Sequence, residues 1–205
     1  MRLFFIVTSL LLFVVAVTIP AQNETQNSIS IPNIAKTITA FYLTTPVTID
    51  GILDEPVWEN AIPATDFMQS EPEEGMPATE KTEIRILFDD TNLYIGVICY
   101  DSEPRRIVHN ELSVDGEILR DDNLEIVIDT FNDKRSGFYF ATNPNGARLD
   151  GKIASTSSSS RSGASNTRRT GSSRRSSYIN QDWNGVWDVA AQNGGYGWCA
   201  EIVIP

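Results

Sequence analysis

Along residues 121–143 the apolar and polar positions alternate with the two-residue period of a strand, turn, and alternate again. Leu124, Ile126 and Ile128 fall on one face, and Glu125, Val127, Asp129 and Phe131 on the other. Residues 132–137 carry a turn signal, and 138–142 resume with aromatic and β-forming residues. The stretch therefore predicts a half-buried hairpin in the middle of an antiparallel sheet, with carboxylates on its second face. A ligand, if the chain holds one, is expected to be held in part here.

The same period predicts further strands. Thr82–Phe88 places Ile84, Ile86 and Phe88 on one face, Asp89 to Asn92 form a turn, and Leu93–Tyr100 is apolar on both faces, as a central strand covered on two sides must be. Residues 147–153 predict an edge strand with Ala147, Leu149 and Ile153 inward and Arg148, Asp150 and Lys152 outward. Order resumes as a strand over 182–191 and ends with Gly197–Ile204, whose Trp198, Ala200, Ile202 and Ile204 share a face. Residues 107–119 fit either a strand over 107–112 or a loop. One short helix is expected, with Asp54 as its cap, Pro56 in its first turn, and Trp58 and Ala61 turned inward, Trp58 as a core anchor. Residues 67–78, with prolines and a glycine among Glu71, Glu73 and Glu74, predict an exposed acidic loop. The sum is an all-β chain, an antiparallel β-sandwich of jelly-roll-like form with one short helix.

Two stretches stand outside this pattern. Arg2, the apolar run that follows it and Ala21 predict a secretory signal peptide over 1–21, with an uncleaved N-terminal anchor as the alternative. Residues 22–38 read as a flexible lead-in, and the sandwich occupies 39–205, interrupted by a Ser/Arg/Gly/Thr segment at 155–177. That segment has too little apolar surface to offset its ordering entropy and is expected to be a disordered insertion. Further chain is expected beyond Pro205, which directly follows a strand.

The net charge of −11 is unevenly spread. Arg161, Arg168, Arg169, Arg174 and Arg175 lie in the insertion, so the folded part is strongly acidic. Such a surface argues against nucleic acid and anionic membranes and suits a neutral ligand or a bound cation. Cys99 and Cys199 each sit in a strand-like run, where they either pair in an oxidising compartment or serve as small hydrophobes.

Catalytic chemistry has little support. His109 is the only histidine and reads as a surface residue, no Cys/His spacing fits zinc, and no nucleophile-and-base motif occurs. Asp101, Asp121 and Asp122, near strand ends, are candidates for calcium, which takes several oxygens.

Taken together, the segments 48–58, 93–101, 121–129, Phe138 to Phe140 with Asn143 and Pro144, and Gly197 to Ile202 resemble the family-nine carbohydrate-binding module. They are most similar to copies that open a large uncharacterised family of bacterial secreted proteins, in which a region like an outer-membrane barrel follows. The resemblance implies a β-sandwich that binds poly- or oligosaccharide without hydrolysing it, often attached to xylan- or cellulose-degrading enzymes, with structural calcium. It implies sugar held between two tryptophans and hydrogen-bonded by a glutamate whose place Glu125 takes, with Asn143 as a further contact and Trp187 or Trp183 as one platform. The place of the other tryptophan is taken by Leu119. The expected function is that of a secreted carbohydrate-binding domain, exported across the inner membrane to the periplasm, the outer membrane or the medium. The alternative is a structural or docking N-terminal domain of an outer-membrane protein with no sugar site.

Overall fold

The structure, a computed structural model, describes residues 37–154 and 179–205. The expected signal peptide at 1–21, residues 22–36 of the expected lead-in and the expected insertion at 155–177 lie outside the described residues. In chain order the elements are β1 (Phe41–Tyr42), α1 (Pro56–Asn60), β2 (Thr82–Phe88), β3 (Leu93–Tyr100), β4 (Leu124–Ile128), β5 (Ser136–Thr142), β6 (Arg148–Ala154), β7 (Ile179–Asn180), β8 (Asp188–Gly194) and β9 (Gly197–Ile204). They form a five-stranded sheet, β1-β2-β3-β9-β8, and a four-stranded sheet, β4-β5-β6-β7. Apart from β1, which runs parallel to β2, every pairing is antiparallel.

Alternation along each strand decides which side chains meet between the sheets. Ile95 and Val97 of β3 pair with Ile202 and Ala200 of β9, and Ile126 and Ile128 of β4 pair with Phe140 and Phe138 of β5. Ile95, Val97, Ile202, Ile126, Ile128, Phe138 and Phe140 join Trp187 in one cluster, as the two-residue period requires. Each fully buried side chain of this size contributes about 1.5–3 kcal/mol.

Both outer faces are covered in part as well. On the five-stranded sheet, Leu43, Val57, Trp58 and Ala61 pack over Leu87 and Tyr94. Gly96 makes this possible, since a Cβ there would meet the Trp58 ring at 2.8 Å and Leu53 at 2.6 Å. Glu201, fully buried, accepts the Trp58 indole N–H (2.9 Å) and the backbone N–H groups of Asp50 (2.9 Å) and Gly51 (3.0 Å). Pro56 opens α1 as expected, but the cap is Glu55 rather than Asp54, and its side chain makes no capping hydrogen bond. On the four-stranded sheet, Ile118 of a single 3-10 turn packs over Tyr139, Ala141, Ala147 and Leu149. Residues 107–117, left open between strand and loop, contain no strand.

Three expectations need correction. Residues 182–187 are irregular, and β8 begins only at Asp188. β6 is not the edge, because β7 pairs with it through Lys152 to Asn180 and Ile153 to Ile179. Asp150 is not outward: it stands opposite Phe140 and is buried on the inter-sheet side, while Leu149 and Ile153 find their apolar cover on the outer face. Cys99 and Cys199 are both free. In the β3–β9 register Cys99 faces Trp198 and Cys199 faces Ile98, so the thiols project from opposite sides of one sheet. Cys99 joins the inter-sheet cluster, where burial pushes its thiol up to about 12, and Cys199 donates to the Gly51 carbonyl (2.6 Å).

Candidate functional site

The residues singled out in the sequence are distributed over both faces of the four-stranded sheet. Glu125 lies on the outer face of β4, where it accepts the Tyr139 hydroxyl (3.0 Å). Trp183 and Trp187 pack against Phe140 on the inner face, so the sheet backbone separates them from Glu125. Trp187 is 5% exposed, meets Phe140 edge-on at 5.2 Å and sits under the Arg148 guanidinium. It is a core residue rather than a platform.

Asn143 is also internal, with 0% exposure. Its amide donates to the Glu111 carbonyl and to Asp121 (both 2.8 Å), and its oxygen accepts the N–H groups of Asn145 (3.1 Å) and Ala147 (3.0 Å). It clamps the loop before β4 to the turn after β5 and has no surface left for a ligand. Asp121 belongs to the same brace. Burial pushes its carboxyl upward, but N–H donors from Glu111 and Asn110 and the Asn143 amide outweigh burial and hold it below its ordinary 3.8.

The carboxylates named for calcium are likewise committed: Asp122 accepts Val108 N–H (2.6 Å), and Asp101 accepts Glu103 N–H (2.6 Å). Among the described residues, no three or more His, Cys, Asp or Glu side chains are grouped to hold a metal.

Trp183 lines a cavity. At the end of the sandwich where the β2–β3 turn, the last residues of β4 and the start of β5 converge, a cleft of about 520 Å³ opens between the sheets. Its wall is aromatic: Trp183 leans on Phe138 (centroids 4.9 Å apart, 40° between planes) and meets Phe140 edge-on at 6.2 Å. Lys152 lies over the Phe138 ring, with its Nζ 5.9 Å from the centroid. Trp183 is aimed by its own loop. Gly185 leaves room for the ring, which a Cβ would meet at 2.7 Å, and the loop is anchored where Asp150 accepts Gly185 N–H (2.6 Å) and the Trp187 indole N–H (3.2 Å).

The polar side of the cleft is the β2–β3 turn. Asp89 accepts the backbone N–H groups of Thr91 and Asn92 (both 2.7 Å) and the Tyr94 hydroxyl (2.8 Å). The Thr91 N–H first, and Tyr94 next, hold its carboxyl well below the usual range, so it stays charged. An apolar aromatic wall beside a fixed polar edge suits a ligand with one apolar face and a rim of hydroxyls. Asp89, Asn92, Phe138 and Phe140 were not singled out as site residues. Asp89 to Asn92 was legible as a turn, but its approach to Trp183 depends on the pairing of the two sheets.

A family model described as "Carbohydrate family 9 binding domain-like" matches residues 49–198. Comparison with curated proteins finds no match. Among solved structures, the chain is similar to a Bacteroides uniformis protein named as a candidate carbohydrate-binding protein, at 12% identity over 81% of this chain and 71% of that one, with a TM-score of 0.50. It is also similar to a family 9 carbohydrate-binding module from Caldicellulosiruptor kristjanssonii, solved in complex with glucose, at 14% identity over 81% and 68%, with a TM-score of 0.49.

Proposed function

The chain belongs to the carbohydrate family 9 binding domain-like family, and from that premise we propose that it is a non-catalytic domain that binds saccharide in the inter-sheet cleft, on Trp183. The observation that carries this reading is the Trp183–Phe138–Phe140 wall facing the turn ordered by Asp89. A pyranose ring laid on the indole buries its C–H face, and its hydroxyls meet the Thr91 and Asn92 edge. Glu125, on the other face of the sheet, is outside this site. The signal-peptide pattern at 1–21 supports export across the inner membrane, to the periplasm, the outer membrane or the medium, and the family membership supports a part in polysaccharide binding.

A second reading, a structural or docking domain, is favoured by Leu119 in an aromatic position and by the internal Asn143. An affinity-gel screen of the protein on cellulose, xylan and other glycans separates the two. Retention on a glycan supports the first, and no retention on any supports the second. With a retained glycan, Trp183→Ala is expected to weaken binding at least tenfold, since an aromatic platform carries much of a sugar's apolar contact. Glu125→Gln is expected to leave affinity unchanged. The reverse order would move the site to the outer face of β4.

A further inference from the structure

We propose that the cleft selects saccharides that carry a carboxylate, uronate-bearing chains over neutral ones, and that Lys152 is the group that meets the charge. The inference rests on the reading of the cleft as the saccharide site and concerns which saccharides it takes.

Lys152 stands directly opposite Phe138 in the β5–β6 register, and residues paired across two strands project from the same face of the sheet. Phe138 lines the cleft, so the Lys152 side chain leaves the sheet on the cleft side. Its Nζ lies 5.9 Å from the centroid of the Phe138 ring, the same ring on which Trp183 leans. The aromatic wall therefore carries an ammonium at its border, on an exposed residue.

Lys81, Arg85, Arg106, Arg120 and Arg148 each meet a carboxylate oxygen at 3.3 Å or less. Lys152 has no such partner among the described residues. The carboxylates nearest the wall are engaged elsewhere. Asp150, two residues earlier on the same face of β6, holds Gly185 N–H and the Trp187 indole N–H. Asp89, across the cleft, holds Thr91 N–H, Asn92 N–H and the Tyr94 hydroxyl. Donors aimed at these oxygens stabilise both charges where they stand, and neither one neutralises Lys152. The net charge of −11 acts at longer range, where physiological salt screens it beyond about 8 Å, whereas a direct contact is screened far less. A pyranose seated on the Trp183 indole presents its rim to the edge of the wall. A carboxylate on that rim comes within reach of the flexible lysine stem, and a hydroxymethyl in its place offers no charge to meet.

The test is calorimetric titration of the full chain with two matched pairs of sugars, with melting temperatures recorded alongside. One pair is cellobiose and cellobiouronate, and the other is xylotriose and xylotriose bearing a glucuronate branch. In at least one pair the uronate form is expected to bind about fivefold tighter, a preference that shrinks between about 50 mM and about 500 mM NaCl. Lys152→Gln is expected to bring the ratio of the two affinities to about one, and Lys152→Arg to preserve it. Neutral binding as tight or tighter in both pairs, with binding lost in Trp183→Ala, overturns the inference and leaves the cleft reading standing. A preference that survives in Lys152→Gln, or one indifferent to salt, also overturns it, because another group then recognises the uronate. Binding of none of the four sugars, or binding that Trp183→Ala leaves intact, overturns the cleft reading and this inference together.

Discussion

Glu201 on β9 and Asp150 on β6 are both buried carboxylates that accept one tryptophan indole N–H and the backbone N–H of one glycine, yet they hold different things. Glu201 ties Trp58 and the Asp50–Gly51 turn to the five-stranded sheet. Asp150 ties Trp187 and Gly185 to the four-stranded sheet. The first clamp joins segments 143 residues apart and closes an outer layer of the fold. The second joins segments 37 residues apart and fixes the loop that aims Trp183 into the cleft. The same chemistry thus serves architecture in one layer and a binding surface in the other. Stability should depend more on Glu201, and affinity more on Asp150.

Glu201→Ala is the most damaging way to test this, because it leaves three donors, two of them buried, without an acceptor. A loss of about 3–5 kcal/mol is expected in urea denaturation, read as a shift in midpoint at constant slope. A loss below about 1 kcal/mol would place the outer layer outside the cooperative unit. Asp150→Asn is milder, since the amide keeps one acceptor oxygen and turns its NH2 toward either Gly185 or the indole. About 1–3 kcal/mol is expected from the unpaired donor. Here the sharper readout is saccharide affinity, which should fall even in conditions where the variant is fully folded. An unaltered affinity would mean that Trp183 is aimed by Phe138 and Phe140 alone.

The smallest effect is on pH. Burial, first, raises the Glu201 carboxyl above its ordinary 4.5, and the hydrogen bonds from Asp50, Gly51 and Trp58 only partly oppose it. A group whose folded value is raised contributes stability that is full below pH about 4.5 and is lost as pH rises through the folded value. Glu111 and Asp121 have the opposite sign. Backbone N–H groups, Ser113 first, lower Glu111, and donors from Glu111, Asn110 and Asn143 outweigh burial at Asp121, so their contribution is present above the ordinary 4.5 and 3.8 and lost on acidification. Melting Glu201→Gln beside the wild type across pH 4 to 8 isolates the first contribution. The wild type's margin over the variant should shrink as pH rises, and a margin that widens would reverse the assignment.

The strands and the hairpin were legible because a half-buried strand writes its faces in alternation. Leu124, Ile126 and Ile128 are indeed turned between the sheets, with Glu125 and Val127 away from them. Asp150 escaped that logic. In 147–153 both faces carry buried residues, so Ala147, Leu149 and Ile153 marked a real apolar face that is not the central one, and Asp150 on the face opposite was taken for solvent. Trp187 and Asn143 were misplaced for a related reason. Tryptophan and asparagine serve equally as ligand contacts and as internal braces, and only the partners that tertiary pairing supplies, Asp150 for one and Glu111 and Asp121 for the other, decide between the roles. The cleft itself left no local mark, since its polar turn and its aromatic wall come from different sheets.

The Glu201 clamp also sets an order of events for the nascent chain. β2 and β3 pair with each other early, but the other edge of β3 waits for β9, and the layer carrying Trp58 waits for Glu201, 151 residues after Asp50. Contacts so distant in sequence form slowly, because a long loop must close before any of them can form. A chain emerging N-terminus first therefore keeps its central strand one-sided and Trp58 without its Glu201 partner until β9 has been made.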